Sequence, residues 1–377
     1  MQLILNKDLI SRKERKVKDS ITIISNRHWL IEVVSEQIRL ADMNNINEIN
    51  KDIFNVPSVS LSDQTSGVIV DIGDNSNVDE LLALANNYIS RHCWCVLVGD
   101  VDSISIAQQL TERGVLYLNI QSQSAELTQL LLKGIQVEKD RKAFFISVLG
   151  CKGGIGTTLL SYHLAHEVVQ IKKLPTLLLQ GNNGSQDLDL ITEKKIASDL
   201  TEYQKNFDLM QSKDKNLNDI STKESHKYNF VVFDQPIHNS TKEKLTDYVE
   251  YSNCIIILLD NSMTSVRTAK EFIDIHSRFK RDNKRGIKLI ICLNESRVVT
   301  KDMLDTSDIP SLLGRKIDIK IPYISKENSS ISDKKYFGRR KKLITELTKQ
   351  TLGMRTDTSK CNIAWINSFT KILAIKR

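Results

Sequence analysis

Two doubly wound α/β sheets are predicted from three observations. Short apolar runs alternate with amphipathic stretches, a charged segment interrupts the alternation once, and the second half opens on a glycine-rich turn between an apolar run and a helical one. Parallel sheets read this way because their strands are buried on both faces while the crossover helices are half exposed.

In the first half, 21–24, 68–71, 94–98 and 115–120 read as strands, and 29–40, 78–88 and 103–113 as helices, with 122–136 as a closing helix. The charged run Val137-Glu138-Lys139-Asp140-Arg141-Lys142 lacks apolar periodicity, so a first domain is expected at 1–137, a linker at 138–142 and a second domain at 143–377. In the second, 143–149, 175–179, 230–233, 254–259 and 287–293 are apolar, β-branched-rich strands between helical stretches. Between Glu193 and Tyr228 the sequence turns polar and lysine-rich, which predicts a helix followed by a mobile loop.

The 377 residues suffice for two cores, and the net charge of +7 is spread among mixed acids and bases. No stretch approaches the roughly eighteen uninterrupted apolar residues of a membrane span, and the N-terminus, with Lys7, Arg12, Lys13, Arg15 and Lys16, has no signal-peptide core, so a cytoplasmic protein is expected. The six cysteines, at 93, 95, 151, 254, 292 and 361, lie mostly in strand-like runs, which predicts reduced, buried thiols. Cys93-Trp94-Cys95 has no second cluster to complete a metal site, and His163 and His166 lack the order of a metal-binding helix; packing is the preferred reading of both.

The chemistry concentrates at Cys151-Lys152-Gly153-Gly154-Ile155-Gly156-Thr157-Thr158. Strand, glycine turn and helix together let backbone N–H groups and a helix N-terminus converge on an anion, so a di- or triphosphate is the expected occupant. The general phosphate-loop pattern would put a glycine at 151 and a lysine at 157; Cys151 and Thr157 stand there instead. Thr158 keeps a hydroxyl for Mg²⁺, and Lys152 brings a cation to the start of the loop. Asp234, closing an apolar strand, is the second metal-shell candidate, and Asn294 offers an amide to a nucleobase edge or serves as a turn residue. Gln180 and Asn182 stand where a nucleotide hydrolase would place acids, while Asp187 and Asp189 serve only if their loop folds back. Neutral groups there, added to Thr157, predict binding with slow hydrolysis or none.

Lys152-Gly153-Gly154-Ile155-Gly156, Thr158, Asp234-Gln235-Pro236 and Asn294 together resemble the ParA/MinD class of deviant Walker ATPases. The first half resembles the receiver fold of response regulators. Of the receiver's phosphotransfer residues only Asp71 is in place; Asn26-Arg27-His28 and Asn119-Ile120 stand where acids and a lysine belong, so an inert receiver is preferred to a phosphorylated one. This pairing resembles the CpaE/TadZ branch, which serves Flp (Tad) pilus assembly at the bacterial pole and often lacks the loop lysine. The resemblance implies ATP or ADP with Mg²⁺ held by residues 151–158, Asp234 and Asn294, and a homodimer in which Lys152 reaches the partner's nucleotide. It further implies Tad machinery such as the pilus motor ATPase as partner, and a polar site on the inner face of the inner membrane.

Trp365, Ile366, Phe369, Ile372 and Leu373 fall on one face of a helix at 361–377, suited to a membrane interface or, the plainer reading, to docking on protein. The basic cluster at 334–342 has DNA or lipid phosphate as one reading and a solvated helix start as the preferred one. Three functions are separable: an ATP-gated dimeric localisation factor, preferred; a ParA-type DNA segregation ATPase, with DNA not expected to bind; and a nucleotide-free scaffold.

Overall fold

The computed structural model describes residues 20–354 except 57, 60, 63, 136–142, 185–186, 197–199, 213–226, 284–285, 299, 301–302 and 324–333. The linker at 138–142 and the amphipathic segment at 361–377 therefore lie outside the described residues. The fold is α/β, with one all-parallel five-stranded sheet and one mixed eight-stranded sheet.

The five-stranded sheet is built from β1 (Ser20–Ser25), α1 (His28–Leu40), β2 (Ile46–Asn50), β3 (Thr65–Asp71), α2 (Val78–Tyr88), β4 (Trp94–Gly99), α3 (Ile104–Thr111), β5 (Leu116–Asn119) and α4 (Ser124–Lys133). Its order, β2-β1-β3-β4-β5, is that of flavodoxin-like doubly wound sheets. The period of two sorts the strand side chains. Ile23, Ile69, Val96 and Val98 face Leu30, Val34 and Leu127 on one side, while Ile24, Val68, Val70 and Leu97 face Leu81, Leu84 and Leu110 on the other. Asn77 and Ser103 cap α2 and α3, accepting from Glu80 N and Ile106 N. Gly67 is required by close approach: a Cβ there would stand 1.9 Å from the Trp94 ring.

The second sheet contains β6 (Phe144–Gly150), β7 (Thr176–Gln180), β8 (Thr201–Gln204), β9 (Phe207–Gln211), β10 (Phe230–Pro236), β11 (Cys254–Leu259), β12 (Lys288–Asn294) and β13 (Ile319–Ile321), in the order β13-β12-β11-β6-β10-β7-β9-β8. Its helices are α5 (Thr157–Lys172), α6 (Leu188–Thr192), α7 (Lys242–Tyr251), α8 (Met263–Asn283), α9 (Ile309–Leu313) and α10 (Lys334–Thr351). The expected helix and loop after Glu193 are corrected in part: 201–204 and 207–211 form an antiparallel hairpin, and 213–226 lie outside the described residues. Phe207 and Leu209 alternate with the half-buried Asp208 on one face of this strand, and Met210 is buried on the other, a signal obscured by the surrounding lysines.

By compactness the chain divides into two units: Met1–Phe145, Val168–Asn182 and Thr192–Phe233, and Ile146–Glu167, Asn183–Ile191 and Asp234–Arg377. Within the first, the fully buried Asn229 donates from Nδ2 to the carbonyls of Asn86 and Ile89, both at 2.8 Å, and its Oδ1 accepts from Arg91 N at 3.2 Å. Lys172, also buried, holds its ammonium 4.1 Å from the Tyr88 ring centroid, and burial pushes its pKa down to about 8.

Candidate functional site

The glycine loop leaves the carboxyl end of β6, where the strand order turns outward both ways, toward β11 on one side and β10 on the other. Open α/β sheets bind ligands at such a point. The loop start is clamped from both sides: Cys151 N donates to Leu258 O at 2.9 Å and Ile237 N to Gly150 O at 2.8 Å. Gly154 and Gly156 hold φ of +74° and +86°, left-handed values that favour glycine, and so turn the loop into the first turn of α5.

Cys151 and Ile155 are buried, at 1% and 2% exposure, and act as the loop's anchors. Burial, with Asp260 second, pushes the Cys151 thiol well above its ordinary value, so it is no nucleophile. A cleft of about 330 Å³ is lined by Lys152, Gly153, Gly154, Gly156, Thr157 and Thr158, and opposite them by Asn183, Asp187 and His238. Asn294 donates from Nδ2 to the Ile155 carbonyl at 2.7 Å and is buried, so its amide nitrogen braces the loop from behind. Asp234 is 2% exposed and accepts from Ser161 Oγ at 3.1 Å, one turn into α5. Neither is among the described residues lining the cleft.

Thr157, at the position of the usual lysine, turns back onto the strand: a Cβ on Gly150 would come within 2.2 Å of its Oγ1. Lys152 points elsewhere, its Nζ 3.9 Å from Asp260 Oδ2. The Asp260 side chain is 5% exposed, and its other oxygen takes Ser262 N at 3.1 Å and Ser262 Oγ at 2.5 Å. Lys152 and His238 also line a second groove, of about 850 Å³, with Lys242, Met263, Arg267 and Leu312. Gln180 is a packing residue, 1% exposed, whose Oε1 accepts from Gln211 Nε2 at 3.2 Å. Asp187 does line the cleft, and Asp189 is not among the described residues that do.

Asp260 and His238 belong to no motif of the sequence. The available signal for Asp260 was a carboxylate directly after the apolar run 254–259. For His238 there was only its position four residues after Asp234.

The residues present suit a polyphosphate. Added Cβ atoms at Gly153 and Gly154 would meet nothing closer than 4.0 Å, so the loop backbone stands open to an anion, and the N-terminus of the sixteen-residue α5 points the same way. The described residues contain no group of three or more His, Cys, Asp or Glu arranged to hold a metal ion. A divalent ion here would thus depend on the Thr158 hydroxyl and on oxygens of its ligand, with Asp234 behind.

No family model matches the chain, and no curated protein matches it. Among solved structures it is similar to ParA- and MinD-type proteins. The MinC:MinD cell division complex of Aquifex aeolicus is 19% identical, covering 57% of this chain and 97% of that one, with a TM-score of 0.44. A ParA family ATPase of Chlorobium tepidum is 14% identical, covering 55% and 98%, with a TM-score of 0.37. An ATP complex of McdA from Cyanothece is 10% identical, covering 57% and 98%, with a TM-score of 0.40.

Among the described residues no helix is long and apolar enough to cross a membrane. The five described cysteines are buried thiols. His163 is set among Tyr162, His166 and Arg340 within α5's packing. Of the basic cluster, Lys341 and Lys342 are exposed on α10.

Proposed function

We propose that the chain is an ATP-binding, dimer-forming protein of the ParA/MinD type in which nucleotide occupancy, rather than turnover, sets the state of the molecule. The single observation behind this reading is the glycine loop: positive φ at Gly154 and Gly156, an open backbone surface at Gly153 and Gly154, and a cleft on the α5 N-terminus. In that cleft the loop N–H groups and the helix dipole hold the phosphates, and the Thr158 hydroxyl faces the accompanying Mg²⁺. ADP would occupy the same cradle.

Slow hydrolysis follows from two features. Thr157 supplies no charge to a leaving phosphate, and Gln180 is buried in the sheet, leaving Asp187 as the one carboxylate among the described cleft-lining residues. Losing one such contact is worth roughly a hundredfold or more in rate. Lys152, itself 37% exposed, rests on the buried Asp260 of its own chain at the long distance of 3.9 Å, and Asp260 keeps its bonds from Ser262 N and Oγ when the lysine turns toward a second subunit's nucleotide.

The finer part of the proposal is a polar localisation and assembly factor for Flp (Tad) pili, acting on the pilus machinery at the inner face of the inner membrane. It rests on the pairing of a flavodoxin-like sheet with a loop that carries Thr157 where the usual lysine would stand. The test is calorimetry with Mg-ATP together with ATP turnover measured with and without DNA. Binding with negligible, DNA-independent turnover is expected. Fast, DNA-stimulated turnover would make the chain a segregation ATPase, and no binding at all would make it a scaffold; either result contradicts the proposal.

A further inference from the structure

The five-stranded sheet has its own reversal of strand order, between β1 and β3, and its crevice lies at their carboxyl ends. Asp71 closes β3 and Asp100 follows β4, so two carboxylates meet at the place where such sheets bind ligands. Like charges this close need a cation between them. Here the cation belongs to the chain: Arg27, between β1 and α1, bonds both. Its Nε donates to Asp71 Oδ2 at 2.7 Å, one terminal nitrogen pairs with Asp71 Oδ1, and the other pairs with Asp100 Oδ2.

Asp71 is saturated as well as neutralised. An ionised carboxylate has about four lone-pair sites. Oδ1 accepts from the guanidinium and from Gly73 N at 2.9 Å; Oδ2 accepts from the guanidinium and from Ser25 Oγ at 2.6 Å. Asn119, at the end of β5, is turned away into its own loop, accepting from Gln121 N and Ser122 N. Asp100 differs: its Oδ1 is buried and, among the described residues, has no hydrogen-bond partner. Asp102 carries a further charge nearby and with Asp100 helps hold the Tyr117 phenol high, after burial as the main cause.

We propose that Arg27 is a resident cation, occupying the place between Asp71 and Asp100 that a divalent metal would otherwise take, so that this sheet carries a closed, metal-independent site whose Asp71 has no lone pair left for a phosphoryl donor. The planar fork suits the task, since it reaches both carboxylates at fixed angles as a lysine does not. Arg27 also stacks over Trp29, 5.2 Å from the ring centroid, and Trp29 is 45% exposed. With Arg27 removed, the oxygens of Asp71, Asp100 and Ser25 form a hard-donor set suited to Mg²⁺ or Mn²⁺.

The test titrates Mn²⁺ into nucleotide-free full chain and counts bound ion by electron paramagnetic resonance. Arg27→Gln should bind Mn²⁺ at least about tenfold more tightly than wild type, and adding Asp71→Asn to that variant should abolish the gain, which separates this site from the glycine loop. Equal binding by wild type and Arg27→Gln overturns the proposal. So does an acyl phosphate on Asp71 after incubation of wild type with acetyl phosphate and Mg²⁺, read by mass spectrometry. If Arg27→Gln is unfolded alone, Mg²⁺ should restore its melting transition; failure to restore it also overturns the proposal.

Discussion

Gly156→Ala should strain the glycine loop by an amount the structure fixes. The residue holds φ at +86°, where an L side chain costs about 1–2 kcal/mol. The added methyl would stand 3.2 Å from Asn294 Nδ2, close enough to push the amide back and weaken its bond to the Ile155 carbonyl, worth about 1 kcal/mol. Together these give roughly 2–3 kcal/mol. Asn294→Ala alone should cost about 1 kcal/mol, because it removes the same bond. The double variant should therefore lose no more than Gly156→Ala does, an apparent coupling of about 1 kcal/mol. Urea unfolding of the nucleotide-free protein, followed by circular dichroism, reads all three. Strict additivity, or a Gly156→Ala cost under about 0.5 kcal/mol, would refute the idea that Asn294 braces a left-handed turn.

His163 supplies a pH prediction. Burial first, then the charge of Arg340, then that of His166, push its pKa from 6.5 down to about 4. As pH falls the unfolded chain takes up the proton first, so the stability is fully present above about pH 6.5 and is lost as pH falls toward 4. The loss is on the order of 3 kcal/mol. His163→Leu should flatten this part of the pH–stability curve, and an unchanged slope would reject the assignment. Asn229→Ala removes three hydrogen bonds from a fully buried site and should cost about 2–4 kcal/mol in thermal unfolding; a cost near zero would mean that water replaces them.

The buried strands were legible because their signal is local. The runs at 144–149, 230–233, 254–259 and 289–293 are apolar except for Ser147, and the structure buries all of them nearly completely. What escaped was the edge. β2, Ile-Asn-Glu-Ile-Asn, has no fully buried residue, and β13 is three residues long, so neither has the apolar run that marks a central strand. The glycine loop was readable as a loop, but the division of labour inside it was not. Whether Asn294 faces a base or the Ile155 carbonyl, and whether Lys152 rests on Asp260, depends on strand register and on a hundred or so intervening residues, about which spacing is silent. Likewise Arg27 looked like a missing acid; its reach to Asp71 and Asp100 is a tertiary fact.

The central claim is that nucleotide sets the assembly state through Lys152. Its most direct test is the mass of the full chain by light scattering, with and without Mg-ATP, in wild type and Lys152→Ala. Since the Lys152–Asp260 pair is long and Asp260 keeps its bonds from Ser262, Lys152→Ala should stay folded, which its circular dichroism checks. Wild type should double in mass on adding Mg-ATP, and Lys152→Ala should remain a monomer. A mass that ignores nucleotide, or a doubling that survives Lys152→Ala, would contradict the account.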